Sequence, residues 1–222
     1  MKTALIFGSS GLIGSYLLDL IVNDNNYSKI RLFVRSKPVN TSSKIEIIKT
    51  DFNNLENHKD SIAGDVCFFC IGTTRKKTPD KNEYINIEYN LPIEVAKIAK
   101  SNSVNNFIYV SSIGANTNAS GLYLKNKGRA EKELKQLNFS KLSIMRPSIL
   151  LGNRKENRIG EKIGILAMKT FSPLFVGKIK KYKPIKVEHV AKTMLQVVQN
   201  DYKKKIFESD EIVKISSDVK KI

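Results

Sequence analysis

The chain opens with an apolar run, Lys2 to Phe7, that stops at Gly8. Leu12 to Ile21 then carries apolar residues at helical spacing, which predicts a helix. Short apolar runs follow at Lys29 to Val34, Lys44 to Lys49 and Val66 to Ile71, and each predicts a strand. Tyr84 to Ser101 has the pattern of a long amphipathic helix, with Pro92 as a kink or as its real start. Asn106 to Ser111 predicts a fifth strand, Leu122 to Leu137 a helix with a charged face, and Leu142 to Met145 a sixth strand that runs into Arg146-Pro147.

Beyond Pro147 the pattern weakens. Gly152 to Arg158 is polar and loop-like, and Ile159 to Thr170 has helical character. Pro184 to Val187 predicts a short strand, Glu188 to Gln199 an amphipathic helix, and Glu211 to Ile215 a last strand. Strand alternating with helix predicts an α/β fold: a doubly wound parallel sheet covered on both faces, with any ligand at the carboxyl ends of the strands. The whole chain, 1–222, reads as one Rossmann domain, in which 148–222 contributes a small cap over the cleft.

Composition narrows the classes. The chain has 222 residues, 41% hydrophobic and 27% charged, as expected of a globular protein. No apolar run is long enough for a membrane span. The short apolar N-terminus, which leads straight into glycines, does not read as a signal peptide, so a cytoplasmic protein is expected. The formal charge of +17 raises nucleic acid as a partner. However, the basic residues are scattered and not interleaved with aromatics, so a solvated basic surface or an anionic small ligand is the preferred reading. Cys67 and Cys70 have C-x-x-C spacing. On a strand those side chains point to opposite faces roughly 10 Å apart. They read as core cysteines, and no metal site is expected.

The first strand–helix junction carries Gly8-Ser9-Ser10-Gly11-Leu12-Ile13-Gly14. A pyrophosphate needs a tight turn, a bare backbone and a helix N-terminus aimed at its charge. The three glycines meet those needs, and Ser9 and Ser10 add hydroxyl donors. After the second strand, a carboxylate would bind ribose hydroxyls and a cation would receive a 2′-phosphate. Here the strand ends Val34-Arg35-Ser36-Lys37, without a carboxylate. Arg35 and Lys37 therefore point to NADP(H) ahead of NAD(H), although Arg35 also reads as a surface arginine of a basic protein. Asp51, after the third strand, is a candidate for the adenine edge or for capping its own turn.

Tyr123 and Lys127 are four residues apart on a predicted helix and share a face. A lysine cation beside a phenol favours phenolate, and that makes tyrosine a usable acid or base near neutral pH. Taken alone, this spacing is common in a lysine-rich chain. Ser111-Ser112 ends the fifth strand, where a hydroxyl can hold a carbonyl or simply shape a turn.

Together, Gly8 to Gly14, Asp51, Ser112, Tyr123, Lys127 and Arg146-Pro147 resemble the extended and atypical short-chain dehydrogenase/reductases. Three further segments resemble the Tat-interacting-protein-like oxidoreductases and their short bacterial relatives. These are Cys70-Ile71-Gly72-Thr73-Thr74-Arg75, Leu122 to Gly128, and Arg146-Pro147-Ser148-Ile149-Leu150-Leu151-Gly152 with Asn153-Arg154. The resemblance implies an NADP(H)-dependent oxidoreductase with Ser112, Tyr123 and Lys127 as catalytic residues. It implies cofactor contacts at the glycine loop, Gly72, Thr73, Thr74, Tyr123, Lys127, Pro147 and Ile149. It implies a small-molecule substrate, for which Arg75 would favour an anion unless it faces cofactor phosphates or solvent, and a monomer or homodimer. His189 departs from the acidic residue often found before Val-Ala in extended members and is read as structural. Two other functions compete: a non-catalytic NADP(H) sensor or assembly protein, and a sugar-nucleotide epimerase or dehydratase, for which the tail looks short.

Overall fold

The computed structural model describes residues 1–36, 42–152 and 177–218. Seven strands form one parallel sheet: β1 (Lys2–Phe7), β2 (Tyr27–Val34), β3 (Ile45–Lys49), β4 (Val66–Phe69), β5 (Asn106–Val110), β6 (Lys141–Arg146) and β9 (Ile206–Glu208). Their order across the sheet is β3-β2-β1-β4-β5-β6-β9. This is the doubly wound Rossmann arrangement that the alternating pattern predicts. The strand order reverses between β1 and β4, which opens a crevice above their carboxyl ends. A separate parallel pair joins β7 (Leu150–Leu151) to β8 (Ile185–Lys186).

Side-chain alternation divides the core into two layers. Ala4 and Ile6 of β1, Val66 and Phe68 of β4 and Phe207 of β9 face α1 (Leu12–Val22), α5 (Val187–Gln199) and α6 (Ser209–Ser217). Leu5 and Phe7, Cys67 and Phe69, and Phe107 and Tyr109 face α3 (Leu91–Ser101) and α4 (Leu122–Gln136). Buried on both faces, these strands are continuous apolar runs. Phe7 stacks on Phe33 with ring centroids 4.2 Å apart. Cys67 lies in the second layer, whereas Cys70 packs against the first. Both are free thiols, and burial pushes Cys70 up to about 12.

Two expected elements take different forms. The helix expected over Tyr84 to Ser101 begins earlier, as α2 (Lys81–Ile85), capped by the Asp80 side chain accepting from the Glu83 N–H. It continues through a π-turn, Asn86–Asn90, into α3. The π-turn ends two residues before Pro92, which has no N–H and would clash with the carbonyl of Glu88 in a regular α-helix. The wider turn relieves that conflict without breaking the helix. The last strand expected at Glu211 to Ile215 is instead helix α6; the seventh strand is Ile206–Glu208. A reciprocal cap between Glu208 and Glu211 starts that helix.

Much of the described part of 148–222 is core. α5 packs on α1, and β9 completes the sheet beside β6. Pro184 to Val187 contributes only a two-residue strand before α5 begins. His189 bonds Ser216 Oγ through Nδ1 at 2.7 Å, which pins α5 to α6, in keeping with a structural role. The helix expected over Ile159 to Thr170 and the loop at Asn153-Arg154 lie outside the described residues. Among the described residues, no helix is long and apolar enough to cross a membrane.

A buried ionic cluster locks β5, β6 and α4 together. Glu131 accepts from Arg146 Nε at 2.8 Å and from its Nη2 at 2.5 Å, and from Ser111 Oγ at 2.6 Å. The Glu131 side chain is 2% exposed, so the pair is shielded from water.

Two stability measurements follow from this packing. Phe207→Ala should cost about 3–5 kcal/mol in denaturant unfolding if β9 is core, as a buried phenylalanine does elsewhere. Glu131→Ala should cost a similar ~3–5 kcal/mol, because it leaves the half-buried Arg146 cation without its partner. Removing both charges with Glu131→Leu and Arg146→Met should recover much of that loss.

Candidate active site

The site forms where the loops leave the carboxyl ends of β1, β4, β5 and β6. The glycine loop comes first. Gly8 has φ +90°, and a side chain there would come within 2.8 Å of the Cys70 carbonyl carbon and Ile71 nitrogen. Gly14, in the first turn of α1, would put a Cβ 2.1 Å from the Gly8 oxygen. Only bare backbone lets the loop and helix approach so closely. Gly11 is the N-cap of α1, with no side-chain cap and no acidic residue in the first turn. The positive end of the helix is therefore left for an outside anion. Ser9 is 4% exposed, and its hydroxyl has no hydrogen-bond partner. Ser10 and Gly11 are exposed, whereas Leu12 and Ile13 tuck the first helical turn against the core.

Arg35 stands exposed just past β2, and Lys37 lies outside the described residues. Asp51 serves its own turn. It is exposed and accepts from the Asn53 N–H at 3.0 Å and from Asn53 Nδ2 at 3.2 Å, and these bonds hold its carboxyl below the usual range. Asp51 thus caps its own turn.

On α4, Tyr123 is 39% exposed while Lys127, one turn on, is 3% exposed. Lys127 Nζ donates to the Val110 carbonyl at 3.1 Å and lies 3.0 Å from Glu88 Oε2. It also sits 4.9 Å from the centre of the Tyr109 ring. Burial alone would pull the Lys127 ammonium down. Only together do the Glu88 carboxylate, Tyr109 and Tyr123 outweigh that burial, and they hold Lys127 well above the ordinary lysine value. Ser112 is half-buried at the end of β5, and its hydroxyl bonds only the neighbouring Ile113 carbonyl, at 3.3 Å. Its neighbour Ser111 is the one committed to structure, through Glu131.

Two further loops close the crevice. After β4, Gly72 is exposed and Thr73 and Thr74 are half-buried. Thr73 Oγ1 bonds Thr78 Oγ1 at 2.8 Å, and the Thr73 N–H donates to Glu88 Oε1 at 2.5 Å. Arg75 is exposed and lies over the Tyr84 ring at 5.3 Å. After β6, the Ile113 N–H donates to the Pro147 carbonyl at 3.0 Å, and the Ile185 N–H to the Ile149 carbonyl. The Ile149 side chain is 41% exposed.

The arrangement thus gathers glycine loop, Ser112, Tyr123, Lys127, Gly72 to Thr74 and the Arg-Pro segment at one edge of the sheet. Sequence reasoning missed Glu88 and Glu131. Both left a signal. Glu88 falls on the buried face set by Tyr84, Leu91 and Val95, and Glu131 continues the Tyr123, Lys127 spacing by one more turn. Among the described residues, no three His, Cys, Asp or Glu side chains gather to hold a metal.

Comparison with known proteins agrees with this geometry. The family described as NAD(P)H-binding matches residues 8–201. Protein HTATIP2 of Rattus norvegicus is 34% identical over 177 residues, which cover 78% of this chain and 72% of that protein. The protein named FMP52-1, mitochondrial, of Scheffersomyces stipitis is 30% identical over 226 residues, covering 96% of this chain and 98% of its own. Among solved structures, a UDP-N-acetylglucosamine 4-epimerase from Methanobrevibacter ruminantium superposes with TM-score 0.67 at 17% identity, over 98% of this chain and 82% of its own. The Bordetella bronchiseptica enzyme WbmH, solved with NAD+, gives TM-score 0.69 at 14% identity, over 98% of this chain and 80% of its own. At such low identity the structural likenesses speak for the fold alone. The sequence matches go further: the chain belongs to the NAD(P)H-binding family of extended short-chain dehydrogenase/reductase-like proteins.

Proposed function

We propose that this protein is an NADP(H)-dependent reductase that reduces a carbonyl group on a small substrate, with Tyr123 as the acid. The observation that carries the reading is the pairing of an exposed Tyr123 with a buried, charged Lys127 one helical turn away, at the same sheet edge as the glycine loop. The loop itself suits a dinucleotide. Its helix end is uncapped, its glycines let the loop and helix pack closely together, and the buried Ser9 hydroxyl lacks a partner. The preference for NADP(H) over NAD(H) is supported by Arg35 and by the lack of a carboxylate at the end of β2.

When bound, the nicotinamide supplies the hydride for reduction. The chain's residues do the rest. The Ser112 hydroxyl needs only to leave its weak bond to Ile113 to donate to the substrate carbonyl. Tyr123 gives that oxygen its proton and becomes a phenolate, which the Lys127 charge stabilises. The backbone of Pro147 and Ile149, with Gly72 to Thr74, lines the crevice for the cofactor. Arg75 at its mouth favours an anionic substrate. The cytoplasm belongs to this proposal as the compartment, set against the mitochondrial label in the names of the FMP52 relatives, as does a monomer or homodimer.

The test is a titration with NADPH and NADH, followed by turnover on a panel of carbonyl compounds. Arg35→Ala should weaken NADPH binding by about 10- to 100-fold, the usual worth of one charge-assisted hydrogen bond, and leave NADH unchanged. Tyr123→Phe should lower kcat by roughly 10²–10⁴ while NADPH affinity stays near wild type. Equal turnover in Tyr123→Phe would remove the acid. Tight NADPH binding with no turnover on any carbonyl would point to a sensor.

A further inference from the structure

Glu88 is absent from the sequence pattern of the family site, yet it is the most deeply buried carboxylate beside it. Its side chain is fully shielded from solvent. A carboxylate withdrawn from water this far must find compensation, or it neutralises. Glu88 finds it by dividing its two oxygens between two parts of the site. Oε1 accepts the Thr73 N–H at 2.5 Å, and Oε2 faces Lys127 Nζ at 3.0 Å. The Oε2 contact is an ion pair rather than an aligned hydrogen bond. A Cβ at Gly72 would stand 3.4 Å from Oε1, in ordinary van der Waals contact with the carboxylate.

The backbone explains how the carboxylate reaches inward. Glu88 is the middle residue of the π-turn that precedes Pro92. It is also the residue whose carbonyl that proline displaces. π-turns often mark functional sites for this reason, since they re-aim one side chain within an otherwise ordinary helix.

We propose that Glu88 is a positioning residue of the active site, which keeps the Lys127 ammonium charged beneath Tyr123 and ties it to the loop Gly72 to Thr74. The proposal rests on the reductase reading for the roles of Lys127 and Tyr123. The juxtaposition that it uses does not. Other groups face Lys127: the Tyr84 phenol from α2, the Tyr109 ring from β5, Cys70 beyond β4 and Tyr123 on its own helix. All are neutral in their ordinary protonated forms, and burial pushes Tyr84, Tyr109 and Cys70 further toward those forms. Glu88 is therefore the one carboxylate among the groups that face Lys127, 3.0 Å from its Nζ.

The sign of the pH effect follows. With Glu88 in place, the folded Lys127 value lies above the unfolded one. The pair therefore stabilises the fold below the ordinary lysine value, and the gain disappears as pH rises through the folded value. Without the carboxylate, burial would pull the folded value below the unfolded one. Stability would then fall as pH falls from the ordinary lysine value to the new one.

The experiment observes Lys127 directly. Lysines carrying ¹³C at Cε report loss of the ammonium proton by NMR, and Lys127→Met identifies the resonance. In the wild-type protein the Lys127 signal should stay that of the charged form throughout the alkaline range in which the fold survives. In Glu88→Gln it should titrate at least ~2 pH units lower, and Glu88→Asp should restore most of that difference. An unchanged Lys127 titration in Glu88→Gln would overturn the proposal. Should Glu88→Gln fail to fold, Glu88→Gln with Lys127→Met decides: recovery of the fold supports the pair, and failure of both overturns it. With a carbonyl substrate in hand, the alkaline limb of kcat should move with the Lys127 titration while KM changes little. The NMR measurement needs no turnover. A protein that reduces no carbonyl would thus defeat the reductase reading and leave the role of Glu88 toward Lys127 intact.

Discussion

A lysine ammonium moved from water into a protein interior loses several kcal/mol of hydration, and it survives there only with a counter-charge and oxygen partners. Lys127 is such a group, and much of the site follows from that constraint. Its carbonyl partner is Val110 at the end of β5, which fixes α4 over the sheet edge. Its counter-charge is Glu88, which brings the helix after the fourth strand into the same contact. The second oxygen of Glu88 then reaches the loop after β4. One buried charge thereby ties together the ends of two neighbouring strands and two helices.

A second ionic cluster does comparable work one step further along the sheet. Glu131 gathers Arg146 and Ser111, and so binds the end of β6 to the end of β5 through α4. The two carboxylates differ in what they hold. Glu131 engages a serine and an arginine that take no part in the proposed chemistry, whereas Glu88 engages Lys127 and the loop after β4. Helix α4 lies between them with Tyr123 toward solvent, so the proposed reactive face is rigid beneath and open above.

The parallel sheet was legible in the sequence because strands buried on both faces are largely apolar, and the middle stretches of β1, β4 and β5 are. The glycine loop was legible because its position between a strand and a helix demands small residues. Other features were ambiguous for physical reasons. Ile212 and Val213 within Glu211 to Ile215 suit a strand, yet the buried positions Ser209, Ile212 and Ser216 follow a helix, and the real strand, Ile206–Glu208, is too short to show a period. Asp51 has the same chemistry whether it caps a turn or meets a ligand, so its place in the sequence does not separate the two. Glu88 falls on the apolar face of its helix pattern, but a periodic pattern does not name the partner that makes a buried carboxylate tolerable. Its partner, Lys127, lies 39 residues away on another helix.

The seventh strand also has a history in time. β9 begins at residue 206, and α5 and α6 flank it, yet these are the elements that cover β1, β4 and α1 on one face. Gln199 Nε2 even donates to Asp24 Oδ2, a contact spanning 175 residues. A ribosome therefore presents the first half of this protein with one face of its sheet covered only by α1 until residues 187–217 have emerged. During that interval the edge of β6 and the apolar surface of α1 are open to wrong partners, the usual cause of aggregation in slow, long-range topologies. Nascent chains stalled before β9 would be natural clients for chaperones and proteases.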